Sequence, residues 1–232
     1  MNTQEQTNHG DGRGVVFDLD GVLVESEHLW EESWISYAAG HAYDWTQEDT
    51  HTCQGMSVQE WGDYLGARTE VSTEQAATGV IDLVAGRYES GEVTLMDGAY
   101  DMVIDIADKV PLALASSAPR RIIETVMQTM GLGPYFSAAV SSAEVPRGKP
   151  SPDVYVEAVR RLGIEPGRSF AVEDSSNGVR AASGAGLTVV AVPTPRYPLA
   201  SDAVGLAVSV QHTLGGVRVE LARLLATEKL PR

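Results

Sequence analysis

Two aspartates, Asp18 and Asp20, directly follow the short apolar run of residues 14–17. Residues two apart in an extended chain point to the same side, so these carboxylates should lie close together. Two close carboxylates repel each other, and one of them stays protonated unless a cation compensates the charge. The pair therefore points to a site that holds a cation.

Polar residues also follow three later apolar runs, and we expect them to meet the aspartates. Ligand sites of open α/β sheets lie beyond the carboxyl ends of the strands. Carboxylates with no nearby His or Cys favour Mg²⁺, while a lysine and serine hydroxyls can hold phosphoryl oxygens. The polar residues at the ends of the later runs are Ser116, Ser117, Lys149, Glu173 and Asp174. The set predicts a magnesium site that also binds a phosphoryl group.

The elements that must position these residues follow from the apolar pattern. Short, nearly continuous apolar runs that alternate with helical patterns indicate a doubly wound α/β fold with a parallel sheet. The runs predicted to be strands are residues 14–17, 111–115, 138–141, 170–172 and 188–192. We therefore predict a Rossmann-like core.

The stretch between the first two predicted strands breaks this alternation. It contains only helical patterns, including capping boxes that begin at Ser57 and Ser72. It is also far longer than an ordinary crossover. We predict a small helical cap domain over residues 26–94, inserted into a core formed by residues 14–25 and 95–232. Residues 1–13 are predicted to be a flexible polar tail, and hinges are expected near Glu25 and residues 92–98.

Composition limits the classes of partner. The 232 residues include 32 acidic and 17 basic side chains, so the formal charge is 17 − 32 = −15. Nucleic acids and anionic membranes need a positive face, so we expect neither as a partner. The single cysteine, Cys53, excludes an internal disulfide framework. With no apolar run long enough to span a membrane, we expect a cytoplasmic protein.

The polar motifs together resemble those of the haloacid dehalogenase superfamily of phosphotransferases. The helical insert resembles the cap of its subclass I branch, and the fourth motif resembles the β-phosphoglucomutase-like and phosphoglycolate phosphatase-like members. The four matching motifs, each at a predicted strand end, are Asp18-Leu19-Asp20-Gly21-Val22-Leu23, Leu114-Ala115-Ser116, Gly148-Lys149-Pro150 and Glu173-Asp174-Ser175-Ser176-Asn177-Gly178.

This resemblance implies a role for each motif residue. Asp18 would be the nucleophile that forms an aspartyl-phosphate, and Asp20 the general acid and base. Mg²⁺ would be held by the Asp18 carboxylate, the Asp20 main-chain carbonyl and Asp174, with Glu173 adjacent. The phosphoryl group would be bound by Ser116, Ser117 and Lys149.

The cap loop separates the possible activities. A β-phosphoglucomutase-like loop carries a lysine and an arginine for a second phosphate, and the loop Gln54-Gly55-Met56-Ser57-Val58 carries neither. The mutase pattern also has a histidine where this chain has Trp30. The resemblance therefore implies a phosphomonoester hydrolase, with a sugar phosphomutase as the alternative. A non-catalytic binding protein on the same fold is a further alternative, but its signature would be a lost motif residue.

The substrate is expected to be a small phosphorylated metabolite such as a sugar phosphate or phosphoglycolate. Selectivity is predicted to come from the cap loop and from one core residue, namely Gln54, Gly55, Met56, Ser57 and Arg120. The aromatics Trp30, Trp34 and Tyr37 are expected to form the core of the cap, with substrate stacking by one of them as the alternative. We expect a monomer or weak dimer.

Overall fold

The computed structural model describes residues 12–53, 56–195 and 198–227, apart from the side chains at positions 27 and 51. Its six strands are β1 (Val15–Phe17), β2 (Leu112–Ser116), β3 (Phe136–Ser141), β4 (Phe170–Glu173), β5 (Thr188–Ala191) and β6 (Ala207–Val210). They form one parallel sheet in the order β3-β2-β1-β4-β5-β6. The predicted doubly wound parallel sheet is therefore confirmed.

Ten α-helices accompany the sheet within the described ranges. Four of them follow β1, namely α1 (Glu27–Gly40), α2 (Gln47–Cys53), α3 (Val58–Thr69) and α4 (Thr73–Glu89). The other six are α5 (Ala99–Ala107), α6 (Arg120–Thr129), α7 (Asp153–Leu162), α8 (Ser176–Gly184), α9 (Ser201–Val204) and α10 (Leu214–Leu225). None of these helices is both long enough and apolar enough to cross a membrane.

Strand β1 lies at the centre of the sheet, and this position explains its continuous apolar sequence. It pairs with β2 on one side and β4 on the other, and its three residues are fully buried. Successive strand residues face opposite sides of a sheet. Val16 lies in the buried cluster that contains Tyr155 of α7 and Val179 of α8, while Phe17 lies in the cluster that contains Ile122 of α6. Helices therefore cover both faces, and only the strand ends are available for a site.

Helices α1–α4, which we call the helical insert, lie between β1 and β2 in the sequence. Their packing centres on aromatic rings: the Trp34 ring lies 6.0 Å from the rings of Trp45 and Trp61, and Trp30 lies 6.2 Å from Trp61. We call Trp30, Trp34, Trp45 and Trp61 the tryptophan cluster. These are all four tryptophans of the chain. Aromatic rings thus form a large part of the interior of the helical insert, beside buried aliphatic residues such as Leu65 and Val80. That residues 26–94 form a separate cap domain stays a prediction.

The two chain segments that join the helical insert to the rest of the protein run side by side. The Met96 amide donates a 2.9 Å hydrogen bond to the Leu23 carbonyl, and the Glu25 amide donates to the Thr94 carbonyl at 3.4 Å. Val24 and Leu95 form an antiparallel bridge. The two predicted hinge segments are therefore adjacent in space.

Two features differ from the sequence prediction. The sixth strand, β6, was not predicted; it is an edge strand, Val208 is exposed, and Ser209 interrupts its apolar run. Part of the predicted flexible tail is also bonded to the core. The Gly12 carbonyl accepts a 2.7 Å hydrogen bond from the Glu165 amide, and Arg13 donates a 2.6 Å bond to the Leu225 carbonyl. Residues 12 and 13 therefore contact the core, while residues 1–11 lie outside the described ranges, so the predicted tail stays a prediction.

Candidate active site

Lys149 connects three strand ends at the carboxyl edge of the sheet. Its Nζ atom donates hydrogen bonds of 2.7 Å to Asp18 Oδ1, 2.7 Å to Glu173 Oε1 and 3.0 Å to the Ala115 carbonyl. Asp18 follows β1, Ala115 lies in β2 and Glu173 ends β4. The side chain of Lys149 is only 6% exposed, so these ion pairs lie in a medium where charges interact strongly.

Glu173 is fully buried, and both of its carboxylate oxygens are occupied. Besides the Lys149 bond, Oε1 accepts a 2.8 Å bond from the Tyr155 hydroxyl. The other oxygen, Oε2, accepts bonds from the Asp174 amide and from the amide and hydroxyl of Ser175, all between 3.0 and 3.1 Å. Such a carboxylate acts as a fixed anionic anchor that orients Lys149 and the start of α8.

Tyr155 is a site residue that the sequence analysis missed. Its spacing in α7 marks it as an apolar core position, and its ring is indeed fully buried. The available signal was chemical, because a buried tyrosine hydroxyl needs a hydrogen-bond partner. Here that partner is Glu173.

Two glycines of the predicted motifs make room for carboxylates. A Cβ atom at Gly178 would lie 1.7 Å from Glu173 Oε1, and one at Gly21 would lie 2.1 Å from Asp174 Oδ2. Gly21 also has a φ of +74°, a conformation that glycine adopts at little cost. Close approach of the backbone, rather than loop flexibility, accounts for glycine at both positions.

The carboxylates form a cluster whose chemistry fits a divalent cation. Asp18, Glu173 and Asp174 each offer an oxygen within 4.8 Å of the others. Oxygen ligands with no sulfur or imidazole are the set that Mg²⁺ prefers. Since hydrogen bonds already occupy both Glu173 oxygens, Asp18 and Asp174 are the better-suited side-chain ligands.

Asp20 extends toward the helical insert. Its carboxylate accepts a hydrogen bond from the Ser26 hydroxyl, just before α1. Burial raises the pKa of Asp20, while hydrogen bonds from Ser26 and Trp30 oppose this rise. Asp20 is therefore suited to proton transfer, and only its main-chain carbonyl was predicted as a metal ligand.

Negative charge exceeds positive charge at the site. The pKa of Asp18 is raised to about 7. Burial is the largest cause, and the negative charges of Glu173 and Asp20 raise the pKa further. Together these effects outweigh the lowering effect of Lys149. With Asp174, four carboxylates face one ammonium group. A further cation would keep Asp18 ionised at neutral pH, which agrees with the oxygen set described above.

The predicted phosphate-binding residues occupy different positions. Ser117 is exposed and lines a cavity of about 240 Å³ together with Lys149, Ser175 and Asn177. Ser116 is fully buried, and its hydroxyl accepts a 2.9 Å bond from the Ala118 amide. Ser116 therefore holds the turn before α6, whereas Ser117 and Lys149 share the cavity.

Two of the predicted selectivity residues make other contacts. Arg120 forms an ion pair with Glu144 and donates a 2.8 Å hydrogen bond to the Ala139 carbonyl. Because these contacts occupy its guanidinium, Arg120 is not part of the proposed site. Ser57 forms the capping box of α3 with Glu60. Both side chains make contacts with nearby backbone or charged groups. The sequence pattern alone could not distinguish such contacts from a role in substrate binding.

The remaining selectivity residues give a mixed result. Met56 lines a larger cavity of about 420 Å³ between the motif residues and the helical insert. Gln54 and Gly55 lie outside the described residues. Cys53 also lines this cavity, but burial raises the pKa of its thiol to about 12, so the thiol is not activated.

The chain is similar to proteins of known classification. The family model for haloacid dehalogenase-like hydrolases matches residues 13–186. Validoxylamine A 7'-phosphate phosphatase of Streptomyces hygroscopicus subsp. limoneus is 29% identical over 181 residues, which cover 77% of this chain and 84% of the relative. Hexitol phosphatase B of Escherichia coli K12 is 28% identical over 184 residues, covering 78% and 83%.

The likeness extends to solved structures. CbbY from Rhodobacter sphaeroides, in a crystal structure with phosphate, superposes with a TM-score of 0.76 at 23% identity. The superposition covers 88% of this chain and 95% of the CbbY chain. The overall fold is therefore shared across nearly the whole length of both proteins.

Proposed function

The chain belongs to the haloacid dehalogenase-like hydrolase family and is a phosphatase of that family, and we propose that it is a Mg²⁺-dependent phosphomonoester hydrolase that works through an aspartyl-phosphate. The observation that carries this proposal is the buried group formed by Asp18, Lys149 and Glu173 at the ends of the central strands. Its substrate is a small phosphorylated metabolite, as it is for the named relatives.

Asp18 is the proposed nucleophile. One of its carboxylate oxygens attacks phosphorus, and the bond between phosphorus and the substrate's alcohol oxygen breaks. Lys149 supports this step because its hydrogen bond to Asp18 Oδ1 orients the carboxylate and favours the ionised form. The same ammonium group and the exposed Ser117 can hold the phosphoryl oxygens at the small cavity.

Asp20 is the proposed general acid and base. It protonates the departing alcohol oxygen and later takes a proton from the water that attacks the aspartyl-phosphate. Ser26 fixes the Asp20 carboxylate by hydrogen bonding, and the raised pKa of Asp20 supports proton donation. Bound to Asp18, Asp174 and the Asp20 carbonyl, Mg²⁺ would supply positive charge to the phosphoryl oxygens.

The phosphomutase alternative is not favoured. A mutase must hold a second phosphate, and the described residues that line the larger cavity include no lysine, arginine or histidine. The named relatives are phosphatases. A non-catalytic protein is also not favoured, since every motif residue is present. A cytoplasmic location and a monomeric or weakly dimeric state stay predictions.

Phosphate release from a panel of small phosphomonoesters, with and without Mg²⁺, tests the proposal. We expect release by the wild-type protein with Mg²⁺, and loss of release on chelation and in Asp18→Asn. Asp202→Asn is the matched control, because Asp202 pairs with Arg180 on the exposed surface. If no ester yields more phosphate with the wild type than with Asp18→Asn, the proposal is wrong.

A further inference from the structure

The larger cavity lies between the motif residues and the helical insert, and tryptophan rings form much of its lining. We propose that the alcohol released by this enzyme is a ring compound without a negative charge. This inference rests on the proposed function, because Asp20 and Asp174 lie in the same cavity. It goes further by naming the class of leaving group that the remaining wall accepts.

Three tryptophans supply much of the wall. Trp30, Trp34 and Trp61 all line the cavity, and each ring lies 6.0–6.4 Å from the other two. Five further lining residues are apolar, namely Cys53, Met56, Val58, Ala118 and Pro119, so eight of the fourteen described lining residues are apolar or aromatic. Aromatic side chains present flat, rigid surfaces that stack against ring faces. A ring with at least one apolar face therefore matches this wall better than a flexible chain does.

The charges of the lining exclude an anionic substituent. Among its described residues, the charged side chains are Asp20, Glu31 and Asp174, all acidic. The faces of indole rings also carry negative potential. Lys149 lines the smaller cavity, where the phosphoryl group is proposed to bind. A carboxylate or a second phosphate on the leaving group would therefore meet no lysine, arginine or histidine among the described lining residues of the larger cavity.

The size of the cavity supports the same class. Its volume of about 420 Å³ falls in the lower part of the range of about 300–1,000 Å³ that is typical of small-molecule sites. The space is large enough for a ring compound, since a cavity of about 150 Å³ already holds benzene, and a ring would displace water from the indole faces. A two-carbon acid would leave most of the indole surface uncovered. Phosphoglycolate, one of the substrates expected from the sequence, therefore fits poorly. The phosphate ester of a neutral cyclic sugar stays within the proposed class of substrates.

Three phosphate esters and one acyl phosphate separate the possible outcomes. Benzyl phosphate carries a neutral ring, and 4-carboxybenzyl phosphate adds one negative charge to that ring. Glycerol 3-phosphate releases an alcohol that is neutral but acyclic. Acetyl phosphate is a small activated donor that needs no contact with the tryptophans, so its hydrolysis tests the proposed function independently. We expect kcat/KM for benzyl phosphate to exceed that for each of the other two esters by about tenfold or more, as for other pockets that exclude a mismatched group.

Variants test whether the wall causes this preference. We expect Trp30→Leu to lower the ratio of kcat/KM for benzyl phosphate to that for glycerol 3-phosphate, mainly through KM. Trp45→Phe is the matched control, since Trp45 stacks on Trp34 but is not a lining residue of the cavity. Glu31→Gln should improve the relative use of 4-carboxybenzyl phosphate.

Binding gives a readout that does not depend on turnover. All four tryptophans belong to the tryptophan cluster, so the intrinsic tryptophan fluorescence reports on this region alone. Benzyl phosphate should change the emission of Asp18→Asn protein, and 4-carboxybenzyl phosphate should not do so at the same concentration. If acetyl phosphate is hydrolysed but the three esters are used equally and Trp30→Leu changes no ratio, the inference is wrong. If neither acetyl phosphate nor any of the three esters is hydrolysed above the Asp18→Asn level, the proposed function fails instead.

Discussion

Lys149 Nζ lies 2.7 Å from Asp18 Oδ1, although 131 residues separate them in the chain. The contact can form only when the loop after β3 and the end of β1 are both in place, because each residue is buried at the sheet edge. Folding of the core and assembly of the site are therefore coupled. The two carboxylates around Lys149 depend on its single positive charge.

Replacement of Lys149 tests that dependence. Lys149→Met leaves Asp18 and Glu173 without their cation, so we expect the free energy of unfolding to fall by about 3 kcal/mol and kcat to fall by about 100-fold or more. Urea unfolding and steady-state hydrolysis measure the two effects. Lys109→Met, at an exposed position, should change neither quantity. Wild-type stability and activity in Lys149→Met would contradict the proposed role of this residue.

Gly178 is predicted to tolerate no side chain. Gly178→Ala would place a Cβ 1.7 Å from Glu173 Oε1, so we expect a loss of at least about 2 kcal/mol in the free energy of unfolding, as in other overpacked cores, together with reduced hydrolysis. Gly184→Ala is the control in the same helix, because the nearest atom there would lie at 3.5 Å. Equal stability of the two variants in a urea titration would count against the close approach.

Tyr155→Phe removes one hydrogen bond from a buried carboxylate. Glu173 Oε1 would keep only its bond to Lys149, so we expect a loss of about 1–2 kcal/mol in stability and a reduced kcat with little change in KM. Tyr100→Phe is the control, since Tyr100 contacts Tyr135 at an exposed position. An increase in KM without a decrease in kcat would show that Tyr155 does not act through Glu173.

Magnesium binding should stabilise the folded protein. A ligand that binds only the native state raises the melting temperature in proportion to the logarithm of its concentration once the site is saturated. We expect such a rise for the wild-type protein, reversed by a chelator, and a much smaller rise for Asp174→Asn. Asp82→Asn removes an equal charge from an exposed ion pair with Arg121 and should behave as the wild type. The same response in both variants would exclude Asp174 as a ligand.

Asp49 is predicted to make stability depend on acidic pH. Burial alone would raise the pKa of this carboxyl group. Hydrogen bonds from Tyr64, Thr46 and Tyr43 together have the larger effect and lower the pKa to about 2. Because the folded pKa lies below the unfolded value, the stabilisation is fully present above about pH 4. It is lost as the pH falls toward 2.

The difference in free energy of unfolding between wild type and Asp49→Asn measures this effect. It should be largest at neutral pH and should shrink between pH 4 and pH 2. Asp44→Asn, at an exposed position between α1 and α2, is the comparison variant. A constant difference down to pH 2 would show that Asp49 is not held in its ionised form.

The sequence alone predicts those parts of the site that depend on strand ends. Asp18, Lys149 and Glu173 follow apolar runs, and parallel strands bring their carboxyl ends to one edge. Strands β1, β2, β4 and β5 are recognisable because strands buried inside a parallel sheet are continuously apolar. Edge strand β3 keeps the short apolar run of residues 138–140, whereas Ser209 interrupts the run in edge strand β6.

Other parts depend on contacts between distant segments, and local patterns do not encode these. The pattern of α7 marks Tyr155 as a core residue, but only the packed structure shows that its hydroxyl meets Glu173. Arg120 follows the second motif in sequence, yet it turns toward Glu144 because that carboxylate is near. Trp30, Trp34 and Trp61 are apolar positions of α1 and α3, and the cavity that they line exists only when these helices lie against the core.

The paired segments at Leu23–Met96 and Glu25–Thr94 also constrain how the helical insert can move. Because the two connecting segments are hydrogen-bonded side by side, we expect the helical insert to rotate about a single axis instead of moving on two independent linkers. Its motion would then be described by a single opening angle. A force that separates the helical insert from the core would have to break both backbone hydrogen bonds together. The two segments should therefore keep the same pairing through each cycle of turnover.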